Sequence, residues 1–136
     1  MPTEIDYRGP NHKLHAHEFL ELAMRVWPGN YSTRHTEQAL AATQNFTAWH
    51  DNRLIGCARL LTDGYVFSTV PEILVEPAYQ RRSIGAKLMN MLWEASPTSL
   101  GFGVQTGNEQ FFESLGYEAK MQFYAKRKPR AQHNNG

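Results

Sequence analysis

Between Val66 and Val104 the chain reads as strand, loop, helix and strand, and this order restricts the fold more than any other feature. Val66 through Val75 is rich in strand formers and closes at Pro77. The helix runs from Gly85 to Ala95 and stops at Ser96-Pro97; Leu100 through Val104 is the next core strand. A β-α-β sequence of this length implies a right-handed crossover and a parallel strand pair. Pro71 lies inside the first strand and cannot donate to a ladder, so a bulge or a free edge is expected there. The loop between strand and helix falls at the strand's carboxyl end, where open α/β sheets place ligands.

That loop is Gln80-Arg81-Arg82-Ser83-Ile84-Gly85-Ala86. A helix start carries unpaired N–H groups and partial positive charge, which suits a phosphate. Gly85 and Ala86 allow close approach of a ligand to the main chain, and Arg81 and Arg82 add charge-assisted donors. The plainer alternative is an ordinary connection with two solvated arginines. No Gly-Lys-Ser/Thr follows, so the loop is not a P-loop; three spaced glycines are missing, so it is not a dinucleotide fingerprint.

The remaining elements are a short strand at Ile5–Arg8, an amphipathic helix over His17–Val26 stopped by Trp27-Pro28-Gly29-Asn30, and a helix over Thr36–Thr43 with Thr36 as candidate cap. Strands follow at Phe46–His50 and Leu54–Leu61, joined by an Asp51-Asn52 turn, and Thr62-Asp63-Gly64 makes the next turn. Asn108–Leu115 reads as a helix with Gly116 at the C′ position, and Glu118–Ala125 as one or two closing strands. Residues 1–125 form one domain, and the basic segment 126–136 is expected to be a disordered tail. The fold class is therefore α/β with a mixed sheet.

A hydrophobic fraction of 41% and a charged fraction of 20% suit a folded domain rather than a disordered chain. A formal net charge of +1 over 136 residues argues against a nucleic-acid partner. Cys57 is the only cysteine, which suits a reducing compartment. No signal peptide and no apolar run of the roughly 20 residues that span a bilayer is visible, so a cytoplasmic protein without membrane partners is expected.

With this order in place, the second half resembles the GCN5-related N-acetyltransferases (GNAT). Their [Gln/Arg]-x-x-Gly-x-[Gly/Ala] motif, after a strand ending in Val-x-Pro, matches Leu74-Val75-Glu76-Pro77 and Gln80 through Ala86. Their later aromatic pair before Gly-Tyr matches Phe111-Phe112-Glu113-Ser114-Leu115-Gly116-Tyr117. The likeness is good over residues 66–125 and rests on element order alone before them. It implies six or seven strands with a splayed parallel pair, about four helices, and acetyl-CoA as co-substrate in the gap. Main-chain groups of Leu74 and Val75 would pair with the pantetheine arm. The segment Gln80, Arg81, Arg82, Ser83, Ile84, Gly85 and Ala86 would hold the pyrophosphate, with Gln105, Phe111 and Phe112 also against the cofactor. Two departures stand out. Ser83 replaces the family's first motif glycine, which matters if the backbone there has positive φ. Phe112 replaces the tyrosine that protonates the leaving thiolate in many members.

The implied reaction is transfer of an acetyl group from acetyl-CoA to a primary amine, on a small molecule or a protein, by direct attack. Glu72 is the candidate base, its alternative being a solvent-facing strand residue; Tyr124 and Tyr117 are candidate acids, with packing roles as their alternative. Trp27, Tyr31 and Arg34 sit in the region that forms the acceptor pocket in this family, although Trp27 would equally plug the core. Cys57 reads as a buried small hydrophobe rather than an acetyl carrier, and His50 as a surface residue. His12, His15 and His17 lack a completing ligand, so no metal is expected. A homodimer is frequent among similar proteins. The alternative function is a non-catalytic acyl-CoA sensor on the same fold, motivated by Phe112.

Overall fold

The computed structural model describes residues 4–98, 100–103, 109–119, 124–126 and 128. Its first hairpin turns on two adjacent left-handed residues, Asp51 (φ 51°) and Asn52 (φ 63°). Paired positive φ values match the twist of antiparallel strands, and Asp and Asn tolerate them better than most residues. The turn joins β2 (Gln44–His50) to β3 (Arg53–Thr62). With β1 (Asp6–Arg8), β4 (Phe67–Val75) and β5 (Leu100–Gly103) they form one sheet in the order β1-β2-β3-β4-β5. The first four strands pair antiparallel; β4 and β5 pair parallel, as the crossover order requires.

Pro71 produces the expected irregularity. The β3–β4 register slips between Arg59↔Glu72 and Leu61↔Thr69, so Val70 and Pro71 together oppose Leu60. This is a bulge on β4, placed where proline cannot serve the ladder.

Helices cover both faces. On one side α3 (Ile84–Ala95) buries Ile84, Leu88, Met89 and Leu92 against Phe46, Ala48, Ile55, Leu60 and Val70. On the other, α1 (Ala16–Val26) buries Phe19, Leu22 and Ala23 against Trp49, Leu54, Cys57 and Leu74. Burying one such side chain is worth roughly 1.5–3 kcal/mol, so these two layers carry most of the favourable burial. The short helix α2 (Thr33–Ala42) contributes Leu40.

Two local expectations shift. The cap of α2 is Ser32, four residues before the expected Thr36, and its Oγ accepts from the His35 N–H at 3.1 Å. Thr36 instead lies inside the first turn and donates its hydroxyl to the Ser32 carbonyl at 2.8 Å. The expected closing strands are not seen among the described residues: 117–119 and 124–126 hold no strand, and 120–123 lie outside the description, as does most of the tail. Five strands are therefore described where six or seven were implied.

The aromatic motif has a structural explanation. α4 (Glu109–Ser114) ends at Gly116, φ 88°. The Gly116 N–H donates to Glu113 O at 3.0 Å and the Tyr117 N–H to Phe112 O at 3.0 Å. This is a Schellman cap, and its usual apolar contact is the Phe112–Tyr117 ring pair, centroids 5.4 Å apart.

Candidate active site

The site begins where β5 leaves β4. Their pairing ends at Val70↔Gly103, just before Pro71, while β4 continues to Val75. Among the described residues the far half of β4 therefore has β3 on one side and an unpaired edge, the gap, on the other. In an antiparallel ladder, alternate residues turn their N–H and C=O toward the same neighbour. The Glu76 N–H donates to Ile55 O at 2.8 Å, which sets the phase. Glu72 and Leu74 then address β3, and Ile73 and Val75 address the gap. Of the two strand residues expected against pantetheine, Val75 has its main chain turned to the gap, as does Ile73, whereas Leu74 has its main chain turned to Cys57. This phase follows from the bulge and is invisible in the residue types.

Below the gap the chain turns through Pro77–Tyr79 into the basic loop. Arg81 (φ 67°) and Ser83 (φ 63°) are both left-handed, on either side of Arg82. Left-handed residues in a turn can point successive main-chain N–H groups to one side, the geometry from which anion-binding nests are built. Ser83 is also the N-cap of α3, with its carbonyl accepting from the Lys87 N–H at 3.0 Å, so the first N–H groups of α3 open onto the same concavity. The Gln80 side chain leaves the loop to donate to Val75 O at 3.1 Å, tying loop to strand edge. The Arg82 guanidinium lies over the Tyr79 ring at 5.3 Å. A Cβ on Gly85 would stand 3.6 Å from both Ile73 Cδ1 and Phe111 Cε1, so Gly85 faces the gap and has just enough room for what is there now. Ser83 departs from the family glycine at a position with positive φ, where the backbone is strained for any L side chain.

Residues 41–119, more than half the chain, match the family model described as an acetyltransferase (GNAT) domain. The chain belongs to the GNAT acetyltransferase family. No functionally curated protein matches it. Among solved structures it is similar to a GNAT-family acetyltransferase of Streptococcus pneumoniae TIGR4, at 22% identity and TM-score 0.76, covering 92% of this chain and 100% of that one. The aminoglycoside acetyltransferase AAC(6')-Iy, in complex with a bisubstrate analogue of CoA and acetylneamine, superposes at 21% identity and TM-score 0.71, covering 93% and 100%. The ribosomal-protein-alanine N-acetyltransferase of Brucella melitensis biovar Abortus 2308 does so at 18% identity and TM-score 0.72, covering 93% and 100%. At such identities these likenesses speak for the fold.

In GNAT terms, the Glu72 carboxylate lies on the face of β4 opposite α3, one residue past the bulge. Its Oε1 is 3.2 Å from Arg59 Nε. Burial pushes its pKa above the ordinary carboxylate value, and the Arg59 charge opposes only part of that rise. A carboxylate raised in this way is a stronger base than an ordinary one, the direction a general base needs. Cys57, across the ladder from Leu74, is fully buried and its thiol is pushed up to about 12, first by burial and then by Glu72. It is no nucleophile at neutral pH.

The other expected residues scatter. Phe112 is in the core and Phe111 lies half-buried beside Gly85, so only Phe111 borders the gap. Tyr124 is 95% exposed, outside any helix or strand. Tyr117 packs on Phe112 and Trp93, and burial raises its hydroxyl pKa. Trp27 is half-exposed at the end of α1; Tyr31 donates its hydroxyl to Trp27 O at 2.5 Å, and Arg34 is exposed on α2. Gln105 lies outside the described residues. His50 Nδ1 is 2.5 Å from the Tyr79 hydroxyl, which braces the turn before the loop. His15 and His17 stack on each other, His12 meets Trp49 edge-on, and no group of three metal-ligating side chains occurs among the described residues.

Sequence reasoning missed Glu76. It is 7% exposed and bridges Arg25 Nε at 3.1 Å and the Arg53 guanidinium at 2.5 Å. Arg25 also donates to Leu54 O at 2.7 Å. The cluster ties α1, the start of β3 and the end of β4 into one joint beneath the loop. Its members are far apart in the chain, so no local pattern announces them. A cleft of about 130 Å³ beside it, lined by Glu18, Glu21, Trp49 and Asn52 among others, is too small for acetyl-CoA and lies away from the gap.

Proposed function

We propose that the chain is an acetyl-CoA-dependent N-acetyltransferase that moves an acetyl group to a primary amine by direct attack in a ternary complex. The observation that carries the reading is the continuity of three features: the edge of Ile73 and Val75, the left-handed nest at Arg81–Ser83, and the start of α3. The nest suits the diphosphate, and the strand edge suits the amide groups of pantetheine. That placement carries the thioester toward the bulge, where Glu72 stands.

The amine nitrogen attacks the thioester carbonyl carbon. Its C–N bond forms as the C–S bond breaks, and the coenzyme leaves as a thiolate that takes the second proton the nitrogen loses. An ammonium must first lose a proton, and Glu72 takes it, directly or through water. Alignment of the two substrates supplies much of the remaining acceleration, an effect that reaches about 7–11 kcal/mol in ideal cases. Such alignment lets the reaction proceed with Phe112 in place of a tyrosine acid.

Calorimetric titration with acetyl-CoA, followed by CoA-release assays over a panel of primary amines, tests the reading. Binding with turnover of at least one amine is expected. Absence of binding removes the assignment. Binding without turnover of any amine instead supports the acyl-CoA sensor, which the Phe112 substitution favours.

A further inference from the structure

Arg59 is charged, mostly covered and poorly satisfied. Its side chain is 14% exposed, and that of Glu72 23%. The two approach to 3.2 Å, yet the Arg59 Nε–H is buried without an acceptor in line with it. Arg25 shares that orphaned Nε but donates through another nitrogen to Leu54 O; the Arg59 side chain makes no hydrogen bond to any described residue. Phe19 covers the guanidinium, its ring centroid 5.9 Å away. A guanidinium carries five N–H donors in a planar fork that fits a carboxylate, and buried donors in folded proteins are normally paired.

The surroundings indicate what would complete it. Register places Leu61, Thr69 and Phe67 on the same face of the sheet as Arg59 and Glu72. Leu61 is 43% exposed and Phe67 46%, so both offer apolar surface on the face that carries the ion pair. An anion donor, an ammonium acceptor and an apolar surface thus adjoin at the bulge.

We propose that Arg59 receives the carboxylate of the acceptor, and that the acceptor class is an amino acid with an apolar side chain. This rests on the acetyltransferase reading above. The incoming zwitterion exchanges with the internal ion pair: its carboxylate takes the Arg59 fork, its ammonium meets Glu72, and its side chain lies on Leu61 and Phe67. Arg59 is thereby compensated by the substrate, and Glu72 is freed to take the ammonium proton. The amino nitrogen then bonds to the acetyl carbon as the C–S bond breaks. Of the two protons the nitrogen loses, one leaves through Glu72 to solvent and the other goes to the departing thiolate.

The test uses the full chain, acetyl-CoA, and four acceptors: phenylalanine, phenylalanine amide, 2-phenylethylamine and glycine. The expected kcat/KM for phenylalanine exceeds that for the amide and for 2-phenylethylamine by about 100-fold or more, because the carboxylate-free acceptors leave Arg59 unpaired. Glycine, which keeps the carboxylate but lacks an apolar side chain, is expected to fall below phenylalanine. In R59Q the preference for phenylalanine over its amide collapses toward unity, mainly through KM, and R59K retains part of it. The substrate panel on the unaltered chain decides the matter even if R59Q fails to fold. Equal or faster acetylation of the amide or of 2-phenylethylamine overturns the amino-acid proposal while leaving the acetyltransferase reading intact. Acetyl-CoA binding without turnover of any amine overturns both.

Discussion

Two glutamates four residues apart meet opposite conditions. Glu72 on β4 and Glu76 just past its end lie on the same face of the sheet, and each touches arginine. Glu76 accepts a hydrogen bond from the Arg53 guanidinium and has Arg25 Nε at 3.1 Å as a second, unaligned counter-charge, and its own N–H closes the β3–β4 ladder. Glu72 has one guanidinium, at 3.2 Å and without hydrogen-bond alignment, beside a gap in the sheet. The same residue type is thus a joint in one place and a proton acceptor in the other. What separates them is how many partners the fold supplies and whether the strand edge beside them is covered.

The contrast breaks most visibly at Glu76. E76A leaves Arg25 buried without its counter-charge, and loss of one member of a covered pair costs about 3–5 kcal/mol. Arg53 is half-exposed and softens the loss, so about 3 kcal/mol is expected, roughly 10 °C in Tm for a chain of this size. Acetyl-CoA affinity falls with it, since the loop hangs from that joint. Urea unfolding of E76A and E72A side by side checks the comparison; equal destabilisation would erase it.

At Glu72 the loss appears in rate. E72Q is expected to lower kcat about 100-fold, equivalent to about 2.7 kcal/mol, with Tm changed by only a few degrees. The pH dependence carries the sign. Burial raises the Glu72 pKa, so the folded chain holds this proton to higher pH than the unfolded chain. The stability it contributes is fully present below the ordinary carboxylate pKa and is lost as pH rises through the raised value. Activity runs the other way: the base must be ionised, so kcat/KM climbs through that same window. E72Q removes this acid limb; an unchanged pH–rate profile would take Glu72 out of the chemistry.

Gly85 sharpens the comparison from the cofactor side. A methyl group there makes only ordinary contacts with Ile73 and Phe111, so G85A should keep its fold and gain about 0.5–1 kcal/mol from helix propensity. G85E places a charged side chain into the gap beside the nest. Its affinity for acetyl-CoA should fall at least about tenfold, or 1.4 kcal/mol, while both variants melt cooperatively. Undiminished affinity of G85E in a thermal-shift titration would mean that the cofactor does not lie along that edge.

The course of the chain through β4, α3 and β5 was legible because strand and helix periods, Pro71, Pro77 and Pro97 are local signals. The loop was legible because small and basic residues opening a helix have a direct physical meaning. Three things were not. The hydrogen-bond phase that gives Ile73 rather than Leu74 to the gap depends on pairing with β3. The partners of Glu72 and Glu76 arrive from other elements. The cap of α2 fell to Ser32 rather than Thr36, two hydroxyl residues that both offer a capping oxygen, and the local pattern did not choose between them.

The left-handed backbone of Arg81 was likewise hidden, and that of Ser83 was signalled only by the family glycine it replaces. Ser83 offers the smallest and most specific test. An L residue in this conformation costs about 1–2 kcal/mol, and glycine removes that strain while adding disorder to the unfolded chain. The net for S83G is a gain of about 0.5–1 kcal/mol, or two to four degrees in Tm. The nest is made of main-chain N–H groups, which S83G retains, so acetyl-CoA affinity should hold within about twofold. S83V has the same N–H but a branched side chain at positive φ, and should lose both stability and affinity. If S83G instead weakened acetyl-CoA tenfold at unchanged stability, the serine hydroxyl rather than the backbone would be the phosphate ligand. The loop would then work by side-chain chemistry, as Glu72 does, rather than by fixed geometry, as Glu76 does.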